Sequence, residues 1–290
     1  MTDNILNRLI NNIQNTNENK SSYWKQYLNN KSNFMSEYEH LNFGSYTKKS
    51  YKNFIHIILQ YILFGNKLFK TQTYKEYKNN FDLINRFIDL DTIRHILTFE
   101  KLKKLIQPKS VCIIGDGKIN GVLGAYLTFK NVKIYSVNLS ETLINDYKIL
   151  KSLNNELSKS LDLIDNSNFY FSDKMLHLIP SNFKNILYQA NIDLFINISS
   201  IQEMTINEID EYFKIIKKNK SKLYCCNREY KKLYAGEEIY FDKYPWEDYK
   251  KIFWENTPWA QKFYSTKFPF IHKYHGNIKH CLVDFGLKKN

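Results

Sequence analysis

From about Tyr23 to Leu105 apolar residues recur with a helical period. The repeat is clearest in FDLINRFIDLDTIRHILTFEKLKKLI, where Phe81, Ile84, Phe87, Ile88, Ile93, Ile96 and Leu97 follow a 3.6-residue spacing. Pro108 stops this pattern, because proline lacks the amide a helix interior needs and its ring clashes with the preceding turn. Beyond it, short apolar runs alternate with helical stretches. The pattern predicts strands at 109–115, 132–138, 169–172, 192–198 and 222–227, with helices starting near Ile119, Ser140 and Thr205. Thr205-Ile-Asn-Glu208 spells a capping box, in which the threonine hydroxyl and the glutamate carboxylate reciprocally satisfy free amides. Strands apolar on both faces and alternating with helices predict a parallel sheet covered on both sides. The expected fold is therefore α/β and doubly wound, with residues 1–105 forming a helical N-terminal region and residues 106–290 the α/β domain.

The longest apolar stretch, FIHIILQYILFG from Phe54, contains His56 and Gln60 and is shorter than the roughly 18 residues of a membrane span. It reads as a buried helix. The first twenty residues alternate apolar and polar positions and lack the continuous core and cleavage site of a signal peptide, so a cytoplasmic location is expected. Cys112, Cys225, Cys226 and Cys281 offer no C-x-x-C pair and read as reduced core thiols. A net charge of +13 raises the question of a nucleic-acid partner. The lysines, however, are spread over the chain amid abundant asparagine and isoleucine, which suits an anionic small-molecule or glycan partner better.

Parallel α/β sheets bind ligands beyond the carboxyl ends of their strands. That rule selects Gly115 to Gly121, Asn138 to Glu141, Asp173, Asn197 to Glu203, and Asn227 with Arg228. In VCIIGDGKINGVLGAYL the glycine turn departs from G-x-G-x-x-G, since its third glycine arrives one residue late and Asp116 sits inside it. A carboxylate there repels a pyrophosphate and attracts a sulfonium or ammonium, by roughly 1 to 4 kcal/mol depending on the local dielectric. Gly115 and Gly117 also allow close backbone approach, and the same glycines would serve tight packing of strand on helix. Asn138, after the second strand, offers a hydrogen bond to a ribose diol or a cap for the turn that follows.

NIDLFINISSIQEM, LYCCNREYK, YPW and TPWAQKFY are more specific. With VCIIGDGKINGVLGAYL and IYSVNLSETL they resemble the sugar O-methyltransferase family, from about Asp91 to the C-terminus. The resemblance implies a class I methyltransferase fold of Rossmann-like type, S-adenosylmethionine as methyl donor, and a sugar hydroxyl of a surface-polysaccharide precursor as acceptor. It carries Gly115, Asp116, Gly117 and Asn138 into the cofactor site. The chain has Thr257-Pro258-Trp259-Ala260-Gln261 where the family tends to have Cys-Pro-Trp-His-Gln, so a base at that histidine is absent.

Transfer to a hydroxyl calls for a base, and Glu203, after the fourth strand, and His280, before the apolar CLVDF, are the candidates. Asn197 stands next to the cofactor. Ser199, Gln202, Asn227, Arg228 and Trp259 stand next to the acceptor, Arg228 facing a phosphate or carboxylate on it. Tyr244, Trp246, Trp259 and Tyr264 would form either a sugar-stacking wall or part of the core. No Asp, Glu or His spacing argues for a metal. The rival readings are a nucleic-acid methyltransferase, a nicotinamide-dependent oxidoreductase and a non-catalytic methyltransferase-like protein.

Overall fold

The computed structural model describes residues 4–15, 19–29, 48–51, 53–166, 171–247, 249–265 and 268–288. Its N-terminal part contains helices α1 (Asn4–Asn15), α2 (Ser22–Asn29), α3 (Asn53–Phe64), α4 (Asn66–Lys70), α5 (Gln72–Leu83) and α6 (Leu90–Leu102). Alternation then begins with β1 (Ser110–Ile114), α7 (Asn120–Thr128), β2 (Lys133–Asn138), α8 (Ser140–Leu153), α9 (Glu156–Lys159), β3 (Leu161–Leu163) and β4 (Leu176–Pro180). It continues through β5 (Leu194–Ile198), α10 (Ile206–Asn219) and β6 (Lys222–Arg228). The remainder is β7 (Tyr230–Lys232), β8 (Glu238–Tyr240), β9 (Tyr249–Asn256), β10 (Lys262–Tyr264), β11 (Ile271–Lys273) and β12 (Ile278–Lys288). No helix among the described residues is long and apolar enough to cross a membrane.

Eight strands form one sheet in the order β3-β4-β2-β1-β5-β6-β12-β9. Strands β3 to β6 are mutually parallel with β1 and β2, whereas β12 runs antiparallel between β6 and β9. An antiparallel strand inserted next to the outermost one distinguishes this sheet from the dinucleotide order 3-2-1-4-5-6. It is the class I methyltransferase arrangement that the resemblance implies. One core face joins β1, β2 and β5 to α5, α6 and α7 through Tyr77, Phe81, Phe99, Val111 and Leu123. The other joins the same strands to α10 through Cys112, Phe195, Phe213 and Ile216. The helical region thus shares one core with the sheet.

Three expectations need correction. Of the strand expected at 169–172, residues 169 and 170 lie outside the described residues, while Phe171 and Ser172 belong to no strand. The strand beside β2 is β4 instead, in full parallel register from Ile134↔Leu176 to Asn138↔Pro180. An aromatic run drew the prediction, but tertiary pairing chose Leu-His-Leu-Ile, with Pro180 at the strand end where its missing amide does little harm. The capping box closes only halfway: Thr205 Oγ1 accepts from the Glu208 amide at 3.3 Å, while the Glu208 carboxylate pairs with Lys184 at 3.0 Å. Finally, α3 forms as predicted but is not buried, since Phe54 is 67% and Ile62 63% exposed. A helix apolar all round reads as a core helix, yet its burial depends on what the fold lays around it.

Candidate active site

The carboxyl ends of β1, β2, β4 and β5 open into a crevice, and the turn after β1 forms its floor. Gly115 adopts φ +74°, and a side-chain carbon built on it would overlap Ser200, whose Oγ donates to the Ile114 carbonyl at 2.8 Å. Glycine is required there on both counts. Gly121 and Gly124 serve packing: a Cβ on Gly121 would stand 2.8 Å from Ile113, and one on Gly124 would overlap Phe99 of α6.

Asp116 is buried, and its carboxylate turns back onto the start of α7, accepting from the Val122 amide at 2.6 Å with the Gly121 amide beside it. Burial pushes this carboxyl up, against the pull of His95 and of those two amides. The helix N-terminus that would hold a pyrophosphate is thus already occupied by an anion of the protein's own.

The turn is also held from outside the α/β domain. Arg86, fully buried and stacked 3.9 Å from the Phe81 ring centroid, donates to the Lys118 carbonyl at 2.8 Å and to Asn120 Oδ1 at 2.6 Å. Asn120 in turn donates to Asp91 Oδ2 at 3.1 Å. Ile119, between these anchors, adopts φ 55°, a costly conformation for a β-branched residue that the anchors maintain.

Two compartments meet over Gly115 and Ser200. The first is walled by Trp24, Val137, Leu139, Met204 and Tyr212, with Asn19, Ser21, Asn138, Ser181 and Glu208 among its polar members. Asn138 Oδ1 accepts from the Leu139 amide at 3.0 Å, and its side chain also hydrogen-bonds the buried Asp146 carboxylate behind the crevice. The second compartment is polar: Asp91, His95, Asp116, Lys118, Ser199 and Glu203 surround it. Burial opposes ionisation of Asp91, but His95, Lys118, Arg94 and Arg86 together hold its carboxyl below the ordinary range. The segment from Asn19 to Trp24 straps the first compartment. Its Lys20 pairs with Glu141 at 2.6 Å and its Asn19 donates to Glu208 at 3.1 Å.

No protein-family model matches the chain, and no curated protein matches it. Similar solved structures include a Pyrococcus horikoshii protein classed provisionally as an RNA methyltransferase, with 10% identity and a TM-score of 0.42 over 68% of this chain and 83% of that one. The pyocyanin biosynthetic protein PhzM has 9% identity and a TM-score of 0.41 over 77% of this chain and 63% of its own. Cofactor-bound Rv0187 from MTB has 9% identity and a TM-score of 0.40 over 84% of this chain and all 100% of its own. Identities and overlaps this low transfer no residue role, so roles rest on geometry.

Of the residues singled out in the sequence, Gly115, Asp116, Gly117, Ser199 and Glu203 line the polar compartment, and Asn138 lines the apolar one. Glu203 is ion-paired to Lys231 at 2.5 Å, and burial pushes its carboxyl up against the pull of Lys231 and Arg228. Asn197, Gln202 and Asn227 are buried with their polar atoms engaged in the protein. Asn197 donates to the Ile114 carbonyl at 2.9 Å and accepts from Asn227 at 2.8 Å. Gln202 Oε1 accepts from the Arg228 amide at 2.7 Å. These three tie the ends of β1, β5 and β6 together and do not line the crevice.

His280 lies inside the sheet face under α6. Its ring stands 3.1 Å from the Tyr224 hydroxyl on one side and 3.1 Å from Glu255 on the other, and burial, aided by Lys101, pushes its pKa down to about 4. Trp259 packs edge-on against His280 and lines a separate groove with Leu97, Pro258 and Gln261. The four aromatic residues form no common wall, since Tyr244 and Trp246 sit in the other core face with Phe213 and Phe241. Asp173 lines neither compartment.

Sequence reasoning missed Asp91 and His95, both on α6. Their i, i+4 spacing inside an otherwise apolar stripe was the available signal. His95 Nδ1 stands 2.9 Å from the Asp91 carbonyl, which can only accept, so Nδ1 is the donor and Nε2 is the ring nitrogen left to face a ligand.

Proposed function

We propose that the protein is an S-adenosylmethionine-dependent O-methyltransferase acting on a hydroxyl of a sugar or sugar-containing precursor. The observation that carries this reading is the two-part crevice over Gly115 and Ser200. One part is largely aromatic and apolar, and the other sets three carboxylates and a lysine around a small volume. The first suits a nucleoside. The second suits an amino-acid end bearing an ammonium, a sulfonium and a carboxylate, because Asp91, Asp116 and Glu203 complement the cations and Lys118 the anion. A dinucleotide fits poorly, since Asp116 already covers the amides its pyrophosphate would need.

When bound, S-adenosylmethionine supplies an electrophilic methyl carbon. The chain's own part is to orient the acceptor oxygen and take its proton. His95 is the base the geometry favours, with Nδ1 held by the Asp91 carbonyl and Nε2 left to face a ligand. Glu203 is already engaged with Lys231 and acts through charge. The sugar acceptor rests on the stretches that resemble the sugar O-methyltransferase family, chiefly SIQEM and CCNRE.

Thermal-shift titrations with S-adenosylhomocysteine, NAD and NADP test the donor. Stabilisation by the first alone is expected, and stabilisation by a nicotinamide dinucleotide instead overturns the reading. A panel of nucleotide-linked and free sugars, assayed for release of S-adenosylhomocysteine, tests the acceptor.

A further inference from the structure

Helix α6, the end of β6 and the segment after β11 bring Arg94, Arg228 and Tyr274 together, with Arg94 in charge reach of Asp91 and Arg228 of Glu203 in the polar compartment. Arg94 lies in the first turns of α6, between Asp91 and His95. Arg228 ends β6, its amide held by Gln202 at 2.7 Å. Tyr274 follows β11. The Arg94 guanidinium lies 5.1 Å and the Arg228 guanidinium 5.3 Å from the centroid of the same Tyr274 ring. The two charges are therefore no farther apart than the sum of those distances.

Arg94 is further fixed by donation to the Tyr274 hydroxyl at 2.5 Å, and its buried Nε has no hydrogen-bond partner. Among the described residues no carboxylate forms an ion pair with either guanidinium. Two neighbouring arginines that share a ring repel each other, and an oxyanion between them would convert that repulsion into attraction. Their planar forks suit phosphate oxygens, which accept in pairs. A carboxylate is satisfied by one fork, whereas a diphosphate can engage both.

We propose that Arg94 and Arg228, presented by Tyr274, form a binding site for the diphosphate of the acceptor, so that the sugar methylated is a diphosphate ester and not a free sugar. This rests on the methyltransferase reading, because it places the site on the acceptor side of the donor crevice. Arg94 sits one residue from His95, and the two arginines act on Asp91 and Glu203 through charge, which fits that arrangement: the donor's cations are drawn to the acidic compartment and the acceptor's anion to the neighbouring arginines. It also gives Arg228 the role expected of it from sequence, with Arg94 as a partner that no local motif announces.

The test uses the full chain and inorganic pyrophosphate as probe, with affinity measured by calorimetry in the presence and absence of S-adenosylhomocysteine. Arg94→Gln and Arg228→Gln should each weaken pyrophosphate about tenfold, the double variant about a hundredfold, and the lysine variants less than the glutamine ones. Affinity for S-adenosylhomocysteine should change far less than that for pyrophosphate, since the arginines reach Asp91 and Glu203 only through charge, and its persistence shows the variants folded with the donor site intact. Uridine diphosphate and farnesyl diphosphate then separate nucleotide-linked from lipid-linked esters, the tighter binder naming the source. Pyrophosphate that fails to bind the wild type, or binds the double variant equally well, overturns the proposal. If pyrophosphate binding depends on the arginines while S-adenosylhomocysteine does not bind at all, the methyl-donor reading fails and the anion site stands.

Discussion

Replacing Arg86 by methionine keeps most of the side-chain stem and removes a buried charge. The loss leaves the Lys118 carbonyl and Asn120 Oδ1 without the donors now 2.8 and 2.6 Å away. Thr92, only weakly engaged at 3.4 Å, keeps its bond to Asp89. The Lys118 carbonyl left without a donor and Asn120 Oδ1 left with only the Thr92 hydroxyl at 3.3 Å cost at most about 1 to 3 kcal/mol each. Relief of the guanidinium's own desolvation offsets part of that, since burial is the main influence lowering its pKa. A net loss of about 2 kcal/mol is expected, read from the urea midpoint at constant slope. Because the orphaned carbonyl sits within the glycine turn, S-adenosylhomocysteine should also bind about tenfold more weakly. A variant within about 1 kcal/mol of wild type, with unchanged ligand affinity, would refute the idea that Arg86 holds the turn in place.

Gly115→Ala should abolish S-adenosylhomocysteine binding and lower stability by about 2 kcal/mol, because the added methyl meets Ser200 and φ +74° disfavours alanine; a calorimetric titration that still shows binding would contradict this. His95→Gln should reduce kcat by about 10² to 10⁴ with donor affinity preserved, whereas His280→Gln should leave kcat within severalfold of wild type, and steady-state kinetics on the methylated sugar compare the two. Burial holds His280 and His177 neutral, with pKa values pushed down to about 4, so both are uncharged in the fold yet protonate near pH 6.5 in the unfolded chain. The stability they contribute is complete above pH 6.5 and declines as pH falls toward 4, by about 1 to 2 kcal/mol for each; urea midpoints between pH 7 and 4.5 should show the fall, and His280→Gln should flatten it.

Much of the frame was legible in the sequence because periodicity reports burial directly. The inner strands β1, β2, β5 and β6 and the starts of α7, α8 and α10 lie within a residue or two of where the apolar pattern put them. The strand at 176–180 was not legible, because its choice over the neighbouring aromatic run depends on pairing with β2. The site was legible in position more than in role. Ser199 and Glu203 face the crevice while Asn197 and Gln202, interleaved with them, turn inward, and local sequence cannot tell which way each side chain of a tight turn points. His95 and Arg94 escaped notice because they reach the site from the N-terminal helices, through contacts that span much of the chain.

The grip of Arg86 on Lys118, together with the overlap any side chain on Gly124 would have with Phe99, bears on how this protein could be taken apart. A fragment beginning at Pro108 would carry every glycine of the turn and every parallel strand, yet its first helix would show a bare apolar flank and its loop would lack its clasp. Such a fragment should come out of cells as aggregate. Grafting the sheet onto a foreign N-terminal partner should succeed only if that partner brings its own counterparts of Arg86 and Phe99.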